Sequence, residues 1–359
     1  MHTITARNIQ QALPMAIACL KSQGRREDSR AGPVLRYPGP VVTVLEQPQE
    51  RVIFYPWRDA NPFFHIVEAA WMLAGRNDLK QLTPYVKRMA EFSDDGGVTQ
   101  PGAYGKRWRG WATENDVGHG YVWVDQLDWV VKRLRANPGD RRVVIQHWDP
   151  WVDTVAAEEN GADVPCNISM LPWVMDGKLH LSIFNRSNDI MWGLYGANAV
   201  HFSVCLEYLA GRLGLAVGTM TTFSNNFHAY EATLPPSKIP MAYLAREEWR
   251  NDPYEKRVAE PFSMAHEWTD DVFPEAKREV YMREDLNTFF EAGAAEALQT
   301  ARWPWLRRVL VPMALAHQRY KGPRDGRYAG AHAILAGVAA TDWRRAAAEW
   351  LERREHGST

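Results

Sequence analysis

Residues 164–198 read VPCNISMLPWVMDGKLHLSIFNRSNDIMWGLYGAN. This stretch predicts a β-hairpin over 166–186: an apolar strand, a turn at Asp176–Gly177, and the alternating strand LHLSIFNR. An Asp-Gly pair tolerates positive φ at both central positions, which is what a tight antiparallel connection demands. Beyond the glycine-rich turn, residues 198–213 predict a helix stopped by Gly214, and a last strand covers about 217–224. Strands paired locally, with helices set between them, predict an α+β fold around a mainly antiparallel or mixed β-sheet with surrounding helices.

Working outward, residues 5–24 read as an amphipathic helix, and residues 33–56 carry β-type runs, VVTVLEQ and RVIFYP. PFFHIVEAAWMLAG at 62–75 predicts a buried helix, with Pro near its start and Gly after its end. Residues 91–105 read as loop, 122–136 as helix and 142–148 as strand. After about residue 235 Pro, Trp and charge become frequent and helices dominate, as in TDWRRAAAEWLERRE. The expected organisation is therefore a first domain over 1–235 and a mainly helical C-terminal extension over 236–359.

The 359 residues are 46% hydrophobic and 24% charged, which supports a packed core and argues against overall disorder. A net charge of -1 gives no global field for nucleic acid or an acidic membrane, so an anion site must be local. The three cysteines, Cys19, Cys166 and Cys205, make neither a disulfide framework nor a zinc motif. They fit a reducing, cytoplasmic setting. No apolar run approaches the roughly 20 residues of a membrane span, and no signal peptide or metal-ligand cluster is expected.

Cys166 follows Pro165 at the start of a strand; alone, such a cysteine reads as core packing, as Cys19 and Cys205 do. Its neighbours carry other chemistry. Arg186, Ser187 and Asp189 close the hairpin, and a guanidinium fork with a hydroxyl suits a phosphate. Arg141 and Arg142 read either as solvated charges or as phosphate ligands. Asn198 reads either as a helix N-cap or as an amide for a pyrimidine edge. Glu68 lies inside an apolar helix, where a carboxylate must be hydrogen-bonded or functional. His228 and Tyr230 face one side of a strand.

In their order and spacing, these residues resemble the thymidylate synthase family over roughly residues 30–230. The match includes EAAWMLAG, YGKRWRGW at 104–111, RRVV at 141–144, the Pro165–Cys166 pair, DGKL at 176–179, Arg186 to Asp189, Gly193, Asn198 and HAY at 228–230. The resemblance implies one-carbon transfer from 5,10-methylenetetrahydrofolate to C5 of a pyrimidine nucleotide, without a metal. It implies Cys166 as the nucleophile at C6, Glu68 as general acid/base and Tyr104 in removal of the C5 proton. Arg30, Arg186 and Ser187 are implied phosphate ligands. Asn167 and Asn198 are implied at the base, His228 and Tyr230 at the sugar, and Asp189, Trp192 and Gly193 at the folate. Arg141 and Arg142 are implied to reach the other subunit's site in a homodimer.

The chain departs from the family pattern in places that bear on the product. Asn167 stands where His is usual, Asn185 where Gln is usual, and the turn before Asn198 is longer. The Trp that shields the reacting carbon in methylating members falls near Met89, with Phe92 close by. A helical extension stands where those members carry a short apolar tail. An open site lets water add to the intermediate, so a hydroxymethyl product is expected. An altered pocket at position 4 of the ring points to dCMP 5-hydroxymethylation, with dUMP hydroxymethylation or dTMP synthesis as alternatives. A non-catalytic nucleotide- or RNA-binding relative would have no need of Cys166, Glu68 and Tyr104 together. A cysteine hydrolase lacks a His partner pattern near Cys166. Membrane and direct nucleic-acid partners are not expected.

Overall fold

The computed structural model describes residues 1–115, 120–234, 252–265, 268, 271 and 273–357. In chain order it contains β1 (His2–Ala6), α1 (Ile9–Gln23), β2 (Arg25–Ser29), β3 (Gly32–Arg36), β4 (Val41–Leu45), α2 (Pro62–Leu73) and α3 (Tyr104–Arg109). The pair β5 (Trp111–Asn115) and β6 (Gly120–Val124) follows, then α4 (Gln126–Ala136), β7 (Ile145–Gln146) and α5 (Asp153–Glu158). Next come β8 (Asn167–Met175), β9 (Lys178–Asn185), β10 (Asn188–Asp189), a π-helical segment Ile190–Ala197, α6 (Asn198–Leu213), β11 (Ala216–Ser224) and β12 (Phe227–Tyr230). The C-terminal helices are α7 (Arg278–Glu291), α8 (Ala294–Thr300), α9 (Val311–Lys321), α10 (Arg327–Leu335) and α11 (Thr341–Glu355).

The main sheet has six strands in the order β1-β4-β11-β9-β8-β7 and mixes parallel with antiparallel neighbours, as the α+β expectation requires. A second sheet runs β10-β12-β3-β2. The hairpin β8–β9 turns at Asp176 and Gly177, both with positive φ (50° and 71°), which a two-residue connection of this twist needs. Helix α6 ends where Gly214 enters the left-handed region at φ 68°, and its amide returns to the last turn.

Helices α2 and α6 pack on each other beneath the sheet. Eleven of the twelve residues of α2 are buried, and its start is set by Pro62 and by Asn61, whose side chain accepts from the Phe64 amide at 3.1 Å. Gly105 lets α3 press on α2: a Cβ there would fall 2.2 Å from the Met72 carbonyl oxygen. An ion pair between Arg107 and Asp153, both buried, ties α3 to α5 and braces the segment that leads to Cys166.

Four expectations are corrected. The helix expected over 5–24 starts only at Ile9, because His2–Ala6 pairs in parallel with β4. RVIFYP is buried up to Tyr55 but is not a strand. Its amides find side chains instead: Val52 donates to the Tyr254 hydroxyl at 3.1 Å and Phe54 to Gln10 Oε1 at 3.0 Å. The helix expected from 122 begins at Gln126, capped by Asp125, since residues 120–124 are extended. The strand expected over 142–148 shrinks to Ile145–Gln146.

The expected boundary at 235/236 lies outside the described residues. Downstream helices share the buried core: Phe63 of α2 meets Trp350 of α11 edge-on at 5.5 Å. Arg353 and Arg354 hold Asp59, and Glu279 of α7 pairs with Arg109 and Arg212. Among the described residues no helix is long and apolar enough to cross a membrane.

Candidate active site

Cys166 stands one residue before β8 and is fastened on both sides. Its carbonyl accepts from the Arg186 amide at 3.0 Å. The Arg186 side chain then reaches back, Nε donating to the Pro165 carbonyl at 3.0 Å and Nη2 to the Val164 carbonyl at 2.9 Å, with the guanidinium 5.9 Å from the Trp148 ring centre. The thiol is half-buried. Burial pushes it above the ordinary thiol value, the cationic Arg186 and Arg30 oppose that rise, and Asp163 adds to it.

The thiol opens on a cleft of about 340 Å³. Tyr104, first residue of α3, lies in its wall. The Tyr104 hydroxyl accepts from the Asn167 amide at 3.3 Å, and its ring stacks 5.7 Å from Phe202. Burial drives its phenol well above the usual range. Glu68 of α2 faces the same cleft, and its Oε2 meets His201 Nε2 at 2.8 Å. The partner that a buried carboxylate requires is thus His201, which the sequence reading missed. The available signal was its place three residues after Asn198, on the same face of α6.

The opposite wall comes from β10 and the π-helical segment, which is kinked at Tyr195 and Gly196 before Asn198. Asp189 Oδ2 accepts from the Trp192 amide at 2.6 Å, and Oδ1 is buried with no partner among the described residues. Burial raises the Asp189 carboxyl. Trp192 is 58% exposed at the cleft mouth, with Arg58 5.0 Å from its ring centre and anchored to the Met191 carbonyl. A side chain in place of Gly193 would press on Asn188 Oδ1 and Asn198 Nδ2, 3.2 and 3.3 Å from the Cβ position. Ser187, Asn198, Met89 and Phe92 also line the cleft. So does Asp163, whose carboxyl burial pushes up to about 6 while it accepts from the Gly102 amide at 2.7 Å.

Beside the cleft residue Asp189, the β10–β12 pairing sets His228 opposite it. His228 and Tyr230 lie edge to face at 5.4 Å. Burial raises the Tyr230 phenol, the negative charges of Asp189 and Cys166 add to the rise, and Arg30 opposes it. Arg30, in the turn between β2 and β3, reaches across to the Gly161 carbonyl at 2.9 Å.

Seven predicted site residues are not in the cleft lining: Arg30, Arg186, His228 and Tyr230, already placed, and Asn167, Arg141 and Arg142. The Asn167 carboxamide is fully buried, donates to the Phe184 carbonyl at 3.2 Å and to Asn185 Oδ1 at 3.1 Å, and does not line the cleft. The alternation of side chains along β8 turns it away from Cys166. Arg141 and Arg142 are exposed and away from this cleft, Arg142 being held by Asp140 at 2.9 and 3.0 Å.

A family model described as thymidylate synthase matches residues 58–252. The chain is 42% identical to a deoxyuridylate hydroxymethyltransferase of Pseudomonas phage M6 over 365 residues, covering 99% of this chain and 95% of that protein. It is 38% identical to a deoxyuridylate hydroxymethyltransferase of Bacillus phage SP01 over 53% of this chain and 49% of that protein. It is also 33% identical to a thymidylate synthase of Symbiobacterium thermophilum over 56% of this chain and 72% of that protein.

Proposed function

This chain belongs to the thymidylate synthase family, and on that premise we propose that it converts dUMP to 5-hydroxymethyl-dUMP. It is a folate-dependent one-carbon transferase, with methylenetetrahydrofolate as co-substrate. The observation that carries the finer reading is likeness over nearly the whole chain to a protein named deoxyuridylate hydroxymethyltransferase.

The cleft agrees with uracil. The expectation of dCMP gives way to dUMP on that likeness, and the buried Asn167, whose Nδ2 donates to Phe184 and Asn185, is not in the cleft lining. Asn198 remains in the cleft wall, with an amide donor for O4 and an acceptor for N3–H. The cleft also agrees with water as the last reactant: where a shielding Trp is expected, the wall offers Met89 and Phe92.

In the proposed mechanism Cys166 attacks C6 of the ring, Arg186 holding its loop and Arg30 easing its ionisation. Addition makes C5 nucleophilic, and C5 bonds to the one-carbon unit. Tyr104 takes part in loss of the C5 proton, Glu68 manages protons at the ring and the folate, and Cys166 leaves last. Arg30, Arg186 and Ser187 receive the phosphate, with His228 and Tyr230 at the sugar. Asp189 Oδ1, unpartnered among the described residues, the exposed Trp192 face and the bare backbone at Gly193 fit a flat, hydrogen-bonding pterin. Arg141 and Arg142, exposed here, are proposed to complete a phosphate site in a second subunit.

A competition assay tests the substrate. With dUMP and dCMP supplied together, dUMP is expected to be consumed with the higher kcat/KM; preferential loss of dCMP would overturn the uracil assignment.

A further inference from the structure

Glu68 and His201 belong to different helices and meet in the wall of the cleft that holds Cys166. His201 Nε2 lies 2.8 Å from Glu68 Oε2, and the two side chains are only 3% and 7% exposed. For Glu68 to act as a base its carboxylate must accept in this bond, which needs the imidazole proton on Nε2 and leaves the buried Nδ1 without a partner among the described residues. The bond engages Oε2 and leaves Oε1 without a hydrogen bond among the described residues. A carboxylate pinned through one oxygen holds the other in one orientation. His201 also stands one helical turn beyond Asn198. A ring bonded to Cys166 at C6 and read by Asn198 at its N3–C4 edge has C5 between those two anchors.

We propose that His201 is a positioning residue that makes Glu68 the base for water addition, and that this pair sets the hydroxymethyl outcome; the proposal rests on the hydroxymethylation reading above. In this step the ring carries an exocyclic methylene at C5 and Cys166 at C6, tetrahydrofolate having departed. Glu68 Oε1 takes a proton from water as the water oxygen bonds to the methylene carbon. The electron pair of the C5–methylene bond moves through C4 onto O4. It returns to form the C5–C6 double bond as the C6–S bond breaks, releasing the Cys166 thiolate. The proton held by Glu68 passes to that thiolate or to solvent. No oxidant or reductant enters.

The test offers the intermediate a second nucleophile. The full chain is given dUMP, methylenetetrahydrofolate and 2-mercaptoethanol, and the ratio of hydroxymethyl to thioether nucleotide is read by mass. In the wild-type protein hydroxymethyl product is expected to dominate, although the thiol is the better free nucleophile. His201→Phe, which keeps a ring but no donor, is expected to shift the ratio toward thioether by about tenfold or more. His201→Gln, which keeps an N–H, is expected to restore most of the wild-type ratio. If His201→Phe lowers both products equally, His201 is only structural and the proposal falls. A wild-type ratio that already follows free nucleophilicity overturns it without any variant. A methylated product from the wild-type protein removes the hydroxymethylation reading and this proposal together; a hydroxymethyl product with a ratio unmoved by His201→Phe removes only this one.

Discussion

Arg186 donates from Nε to the Pro165 carbonyl at 3.0 Å and from Nη2 to the Val164 carbonyl at 2.9 Å, so a guanidinium proposed for phosphate also holds the loop of the nucleophile. A lysine has the charge but not the planar fork. Arg186→Lys is therefore expected to lose about 1.5–3 kcal/mol of charge-assisted bonding, seen as a fall in kcat/KM of roughly ten- to a hundredfold. Steady-state kinetics with dUMP check it. Unchanged kcat/KM would show that the fork is dispensable.

Burial raises the Cys166 thiol, and Arg186 and Arg30 only partly offset it. The thiolate is the reactive form, so alkylation by iodoacetamide is expected to accelerate with pH and reach half its limit above the ordinary thiol value of about 8.5. Cys166→Ser should leave only slow labelling and cost more than about a thousandfold in turnover. Labelling that is already maximal at neutral pH would contradict a thiol raised by burial.

Asn198→Asp exchanges the amide donor for an acceptor in the cleft. For uracil this removes a hydrogen bond to O4; for cytosine it supplies a partner for the amino group. The kcat/KM for dUMP is expected to fall by about a hundredfold and that for dCMP to rise. Equal losses on both bases would mean that Asn198 does not read the ring.

Glu279 of α7 ties the C-terminal helices to the catalytic region. Burial works to raise its carboxyl, but Arg109 and Arg212 outweigh it and hold the group at about 2. A depressed carboxyl contributes stability above its unfolded value of about 4.3, and loses it as pH falls toward about 2. Glu279→Gln is expected to cost about 3–5 kcal/mol at pH 7, because its arginine partners lose their counter-charge. The cost should shrink as pH falls through that window. Denaturant unfolding at several pH values measures it, and a difference independent of pH would exclude the ionic origin.

What was legible in the sequence was local. The Asp176–Gly177 turn, helix α6 with its Gly214 stop, and TDWRRAAAEWLERRE, which forms α11 over Thr341–Glu355, each rest on periodicity and turn chemistry within a few residues. What was not legible depends on distant partners. RVIFYP has the composition of a strand, but Tyr254 and Gln10 take its amides. His2–Ala6 becomes a strand because β4 lies beside it. The carboxylate of Glu68 required a partner, and that partner lies 133 residues away. The burial of Asn167 was not legible either, because it depends on Phe184 and Asn185 of the paired strand.

The central claim is that this cleft admits water to a C5 methylene on uracil. Mass spectrometry of the nucleotide formed from dUMP and methylenetetrahydrofolate tests it most directly. The account predicts an increment of CH2O with tetrahydrofolate released. An increment of CH2 with dihydrofolate released in equal amount would contradict it.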